Sequence, residues 1–447
     1  MAEFGALSSL GVGSGVLTYD VIDKLRAADE EAIIKPIDNS IEKLKSQEEE
    51  LNTIVTKTAT LKSSILELSD SVFLAKRSVD VTGSAVEASV LDGTATQEID
   101  LTVNRLAKSS IDQSKGFASK DSVVTDTDTS MTISIDGTDY TIDVAAGTTL
   151  SQLTDLINET AGSKVTASII DTGGTDPFSL IIKSDETGAD QSVSYSYAGT
   201  DFLGMNNVQA AQDAELVFNG VTVTRASNRI DDLVVGLTLD LKEEGASSHI
   251  SIKQDNEAIT ESVKAFVEAY NDFMDEVSAA TRYDAETETS GIFQGEGTIT
   301  GLKYGVSNIV NGAVGAGGLA DLGITVDRNG YMSLDETQLK SMLDTDSQKV
   351  SDIFAGTEES PGIFAQLNDY LRDQTIGSDA TLTQFGNLLD ERMSNLEASR
   401  ERKITYLDSK YQIMAQQFAA YDAMIQQMNA SYSSLQSMID SMNNQNG

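Results

Sequence analysis

From Asn387 to Asn446 the chain contains neither glycine nor proline, and through that stretch its apolar residues keep one spacing. Ile404, Leu407, Tyr411, Met414, Phe418, Tyr421, Ile425, Met428, Tyr432, Leu435, Ile439 and Met442 follow one another three and four residues apart in strict alternation. A 3.5-residue period held this long specifies a left-handed supercoil seam, and a seam requires a partner helix. At ~1.5 Å per residue the helix would run roughly 80–90 Å. The opposite end supplies a candidate partner. Ile34, Ile37, Ile41 and Leu44 keep the same spacing, followed by Leu51 and Val55 after a polar break at Glu48. A shifted register then runs through Ile54, Leu61, Ile65, Leu68 and Val72, as a stutter in a continuing helix would produce. Only three prolines, Pro36, Pro177 and Pro361, interrupt the chain. Helices at opposite ends can pair only if the middle folds as an insertion and returns.

The terminal seam is chemically unusual. It relies on Met, Tyr and Phe, which fill irregular gaps and tolerate repacking. From Tyr411 onward there is no Lys or Arg, and the only acids are Asp422 and Asp440. A solvated coiled coil normally carries flanking charges. Their absence points to burial in a larger polymer, or to disorder until the chain reaches one.

The middle reads as strands. Asp92-Gly93, Asp136-Gly137, Asn219-Gly220 and Asn329-Gly330 each lie between alternating apolar residues and are expected to turn hairpins, because both residue types accept the positive φ that tight turns need. A short helix carrying Leu150, Leu153, Leu156 and Ile157 is expected to start at Thr148 or Thr149. After Asp255, Ile259, Val263, Phe266, Tyr270, Phe273 and Val277 mark another helix, with more expected at 298–313, 335–344 and 363–374. The expected architecture is α+β and multidomain: terminal helices forming a coiled-coil stalk, a helical-plus-hairpin base, and β-rich heads inserted between them. The boundaries are a leg at 1–40 and 395–447, a base at 41–76 and 255–394, a β-rich head at 77–116 and 213–254, and an outer α+β head at 117–212.

Several function classes are disfavoured. The net charge of −39 repels phosphate backbones and anionic lipid, so neither nucleic acid nor membrane insertion is expected. No apolar run approaches the ~20 residues that span a bilayer. The opening MAEFGALSSLGVGSGV lacks a basic start and an unbroken apolar core, so no cleavable signal is expected there. Without Cys there is no disulfide or thiolate nucleophile, and with one histidine, His249, there is no multi-histidine metal site. No Gly-Lys-Ser/Thr tripeptide forms a phosphate loop, and Gly295, Gly297 and Gly301 have the wrong spacing for a dinucleotide fingerprint. Ser14, between Gly13 and Gly15, lacks a strand–elbow–helix context. The acidic run Asp121, Asp126, Asp128 lacks the Gly and Glu of an EF-hand loop. No catalytic, cofactor or metal residue is assigned; the expected function is structural.

Longer blocks carry a family resemblance. LGVGSGV at Leu10–Val16 and IDKLRAADEEAIIKPI, then ATQEIDLTVNRLAKSS, then LSQLTDLINETAGSKVTASI, then AELVFNGVTVTRASNRIDDLVVGLTLDL with VKAFVEAYNDFM, then DLGITVDRNGYMSLDETQL with VSDIFAG, and finally YQIMAQQFAAYDAMIQQMNASYSSLQSMI resemble, in order, the bacterial flagellar hook-associated protein 2 (filament-capping) family. The resemblance implies a secreted protein at the distal filament tip, assembled as a ring of about five copies. Heads would form a plate, and paired terminal helices would act as legs. It also implies flagellin, the hook-associated junction proteins and an export chaperone at the C-terminal helix as partners, and no cofactor. Two other readings stay open: another axial protein such as a flagellin, and a surface adhesin whose head meets a receptor, which could also be an added role for a cap. An enzyme reading rests only on abundant carboxylates.

Overall fold

The computed structural model describes residues 19–285 and 288–445. The opening Gly-Ser turn, including Ser14, lies outside them. Eight α-helices are present among the described residues: Tyr19–Ile33 (α1), Lys35–Ile65 (α2), Leu150–Ala161 (α3), Asn256–Thr281 (α4), Gly297–Val310 (α5), Glu336–Phe354 (α6), Ile363–Thr375 (α7) and Thr381–Gln445 (α8). The chain divides into two compact units, residues 1–71 with 260–447 and residues 72–259. In sequence the second is an insertion into the first.

In the helical unit α2 packs on α7 and α8, and α1 packs on α8. The α1–α2 path stays nearly helical through Ile34, but Pro36 removes a donor and marks the break between the two helices. Along α2 the buried residues are Ile41, Leu44, Leu51, Ile54, Thr58, Leu61 and Ile65. The buried spacing therefore changes register between Leu51 and Ile54, where a step of three replaces the step of four to Val55. Val55 is only half-buried, and Val72 is exposed in a short 3₁₀ turn. Thr58 takes a seam position unseen in the apolar pattern, and it can be buried because its hydroxyl donates to Ile54 O at 2.7 Å.

The expected stripe of α4 is wholly buried. Phe364 of α7 meets Phe266 of α4 at 4.7 Å and Phe354 of α6 at 4.4 Å between ring centroids, in the tilted and edge geometries that suit the ring quadrupoles. The hairpin Ile324–Val326/Met332–Leu334 is pinned to α4 by Asn271, whose amide donates to Met332 O at 2.9 Å and accepts from Met332 N at 2.7 Å. Helix α6 is longer than expected from sequence. Asp346 leaves helical φ/ψ and accepts from Lys349 N at 3.1 Å, capping a second segment.

The inserted unit holds two separate cores. In the first, a five-stranded antiparallel sheet has the order Arg77–Gly83, Ser247–Gln254, Gln97–Arg105, Ala214–Phe218, Val221–Arg225. A three-stranded sheet, Arg229–Ile230, Leu237–Leu241, Val86–Val90, shares its core, with Ile99, Leu101, Val103, Leu216 and Ile250 meeting Val86, Leu237 and Leu239. Asn219-Gly220 turns its hairpin as expected, with φ of 47° and 83°. Asp92-Gly93 does not: the flanking strands Val86–Val90 and Gln97–Arg105 belong to different sheets, so this turn carries the chain across the sandwich.

The second core lies between a four-stranded sheet (Asn206–Gln209, Ile111–Gln113, Phe178–Ser184, Val165–Asp171) and a three-stranded one (Thr138–Val144, Thr129–Ile135, Ser194–Tyr197), with α3 packed in. Thr149 and Gln152 form a reciprocal capping box at the start of α3. Asn158, on the same helix, donates to Ala167 O at 2.9 Å and accepts from Ala167 N at 2.8 Å. Its side chain thus imitates a neighbouring strand.

A candidate assembly interface on the terminal helices

The contact between α1 and α8 begins with spacing. Ile22, Ile34, Leu407, Tyr411 and Ala415 form one buried cluster, against which Ile404, Met414 and Phe418 pack. Ion pairs set the direction. Arg26 meets Asp408 at 2.6 Å and, across the α2 side, Arg400 meets Asp38 at 2.5 Å, so the chain ends run antiparallel. Asp29 accepts from the Lys410 ammonium at 2.6 Å and from the Tyr411 hydroxyl at 2.7 Å. Those two donors, Lys410 first, hold the Asp29 carboxyl below its ordinary range. The same contact raises Lys410, while burial and then Asp29 raise the Tyr411 phenol. Tyr411 is therefore a seam residue with a polar handle that is satisfied by α1.

Of the seam residues expected from sequence, Ile34, Ile41, Leu44, Leu407 and Tyr411 are buried, and Ile37, Ile404, Met414 and Phe418 are half-buried. Ile425 is also half-buried, whereas Tyr421, Met428, Tyr432, Leu435, Ile439 and Met442 are exposed. A second apolar row, which the strict alternation had missed, adds Met424 and Met438 to the exposed part. It lies four residues before Met428 and Met442, and a scan for i, i+4 pairs would have found it.

Elsewhere the chemistry is sparse. His249 sits on an exposed strand face with Nδ1 2.8 Å from Asp100 and Nε2 3.1 Å from Glu98, and the Asp100 contact leads in raising its pKa. That is a surface charge ladder without a cavity. Among the described residues no cluster of three or more His, Cys, Asp or Glu could hold a metal, and no helix is long and apolar enough to cross a membrane.

Paired terminal helices, a β-rich insertion between them in sequence and an apolar helix face left open among the described residues define a structural protein that assembles with others. Three family models cover most of the chain in order: the N-terminus of flagellar hook-associated protein 2 at residues 14–110, the flagellin hook IN motif at 130–186 and the C-terminus of flagellar hook-associated protein 2 at 211–430. A flagellar hook-associated protein 2 from Helicobacter pylori is 24% identical, with 98% of each chain covered. One from Escherichia coli K12 is 26% identical over 98% of this chain and 99% of its own. One from Campylobacter jejuni is 31% identical over 79% of this chain and 64% of its own. The solved D1-D2-D3 domains of the Escherichia coli flagellar cap protein superpose with a TM-score of 0.59 at 24% identity, covering 76% of this chain and 99% of that one, a likeness of fold. The chain belongs to the flagellar hook-associated protein 2 family. It is a structural protein and not an enzyme.

Proposed function

We propose that this chain caps the distal tip of the bacterial flagellar filament, assembling into a ring that retains exported flagellin and promotes its folding and insertion. It acts outside the cell, at the filament end, and supports motility. Family membership points to flagellin and the export machinery as contacts. The finer set comprises a ring of about five copies, the hook-associated junction proteins, and an export chaperone on α8. Leg and base correspond to the helical unit. We place the outer head from strand Ile111–Gln113, which pairs with Phe178–Ser184, to about residue 212, and the inner head on either side of it.

The observation that carries this reading is the state of α8. Its first part is neutralised and packed by α1 and α2. Its last part keeps the apolar spacing with almost no charge and, from Gln427 on, is exposed among the described residues. A face of adaptable Met and Tyr side chains suits a leg that must dock on successive, slightly different surfaces. Removing 421–447 leaves the buried cluster with α1 intact. Cells carrying only that truncation should grow no filaments and release monomeric flagellin into the medium, while the purified chain unfolds at nearly the full-length temperature. Filaments of normal length would overturn the assignment.

A further inference from the structure

All twelve sulfur atoms in this chain are methionine thioethers, since it has no cysteine. Their environments are sharply divided. Met131, Met274, Met332 and Met393 are 0–9% exposed within the cores, whereas Met424, Met428, Met438 and Met442 are 58–66% exposed. Among the described residues no other methionine falls in the exposed class. The four form two pairs, each four residues apart, and the pairs are separated by fourteen residues. On a helix both intervals return to the same face. Leu435 and Tyr432 lie between the pairs, and Met424, Met428, Tyr432 and Leu435 line one shallow groove.

We propose that this face is a site of thioether oxidation, with peroxide as the oxidant, and that the modification weakens self-association through α8. The sulfur attacks one peroxide oxygen. An S–O bond forms as the O–O bond breaks, the sulfur loses two electrons, and the peroxide is reduced to water. Each product is a methionine sulfoxide, polar and chiral where the seam requires an apolar, pliant side chain. The nearby Asp440 offers no cation to compensate the new dipole. Solvent access decides which sulfurs react, so the free chain is vulnerable and a docked face is shielded. The association half of this proposal rests on the ring assembly proposed above, whereas the site itself follows from exposure alone.

The test uses the full chain and hydrogen peroxide. Peptide mass mapping over a time course should show sulfoxide at Met424, Met428, Met438 and Met442 forming about tenfold or more faster than at Met131, Met274 and Met332. Native mass measurement should then show the oxidised chain self-associating about tenfold more weakly, with methionine sulfoxide reductases of both stereospecificities restoring it. The variant with Met→Leu at all four positions should self-associate normally before and after peroxide. Equal oxidation rates at buried and exposed sites, or an oxidised chain that associates as the reduced one does, would overturn the proposal. A reduced chain that never self-associates would instead remove the ring assembly, and the association half with it, while the site would stand on the mapped rates.

Discussion

Ile404 to Phe418 and Tyr421 to Met442 belong to one helix and share one alternation of three and four, yet they meet opposite surroundings. The first stretch closes on Ile22 and Ile34 and is fixed by Arg26–Asp408 and Asp29–Lys410. The second presents Tyr432, Leu435 and Met442 to solvent. The difference lies in the residues between the seam positions. Arg400, Asp408 and Lys410 give the first stretch ion pairs within the chain, whereas the only charged side chains of the second are Asp422, which is buried and also partnered, and Asp440. Spacing thus specifies that a helix has a seam, and flanking charge specifies whose helix it closes on.

Single truncations would break this contrast most directly. Leu407→Ala should destabilise the helical unit by about 2–5 kcal/mol, because a fully buried leucine leaves a cavity. Leu435→Ala, the same change on the same stripe, should leave chemical denaturation of the monomer unaltered and lower only self-association. If denaturant midpoints fall equally for both, the two stretches are not distinct.

A smaller effect on stability is expected from charge in the open stretch. Tyr421→Asp or Ile425→Asp should shift monomer stability by no more than about 0.5–1 kcal/mol, since neither side chain is fully buried. Either should nevertheless abolish filament growth by placing an ionised carboxylate in a docked seam. Swimming in soft agar reads the second effect, and thermal melts read the first.

The smallest effect is a pH dependence confined to the closed stretch. Asp29 titrates below its ordinary value, so its contribution to stability is present above the usual carboxylate pKa of about 3.9 and lost as pH falls through the depressed folded value. Lys410 titrates above its ordinary value, so its share is present below about 10.4 and lost as pH rises through the raised one. Replacing Asp29 with Asn should flatten both limbs of a stability–pH curve for the full chain. The truncation after Ala420 should keep them.

Much of the fold was legible from period alone. The α4 stripe, the α3 cap and three of the four turns stand where their residues predict, because each depends on neighbours a few positions apart. The Asp92-Gly93 turn misled for the same reason: its residues specify a reversal, but not which sheet the next strand will join. Thr58 was invisible because its polarity is cancelled only by Ile54 O, one turn back on its own helix. The bidentate asparagines Asn158 and Asn271 carry no local signal either, since their partners Ala167 and Met332 are brought to them by folding.

By itself, the sequence determined that long helices stand at both ends, that strands fill the middle, and that the last seam lacks the charges of a solvated coil. These follow from periodicity and composition, which act residue by residue. Only the tertiary structure decided where along α8 the described residues stop covering the seam. That point depends on which carboxylates come within hydrogen-bond range of Arg26 and Lys410, and those distances exist only once residues about 380 positions apart have met.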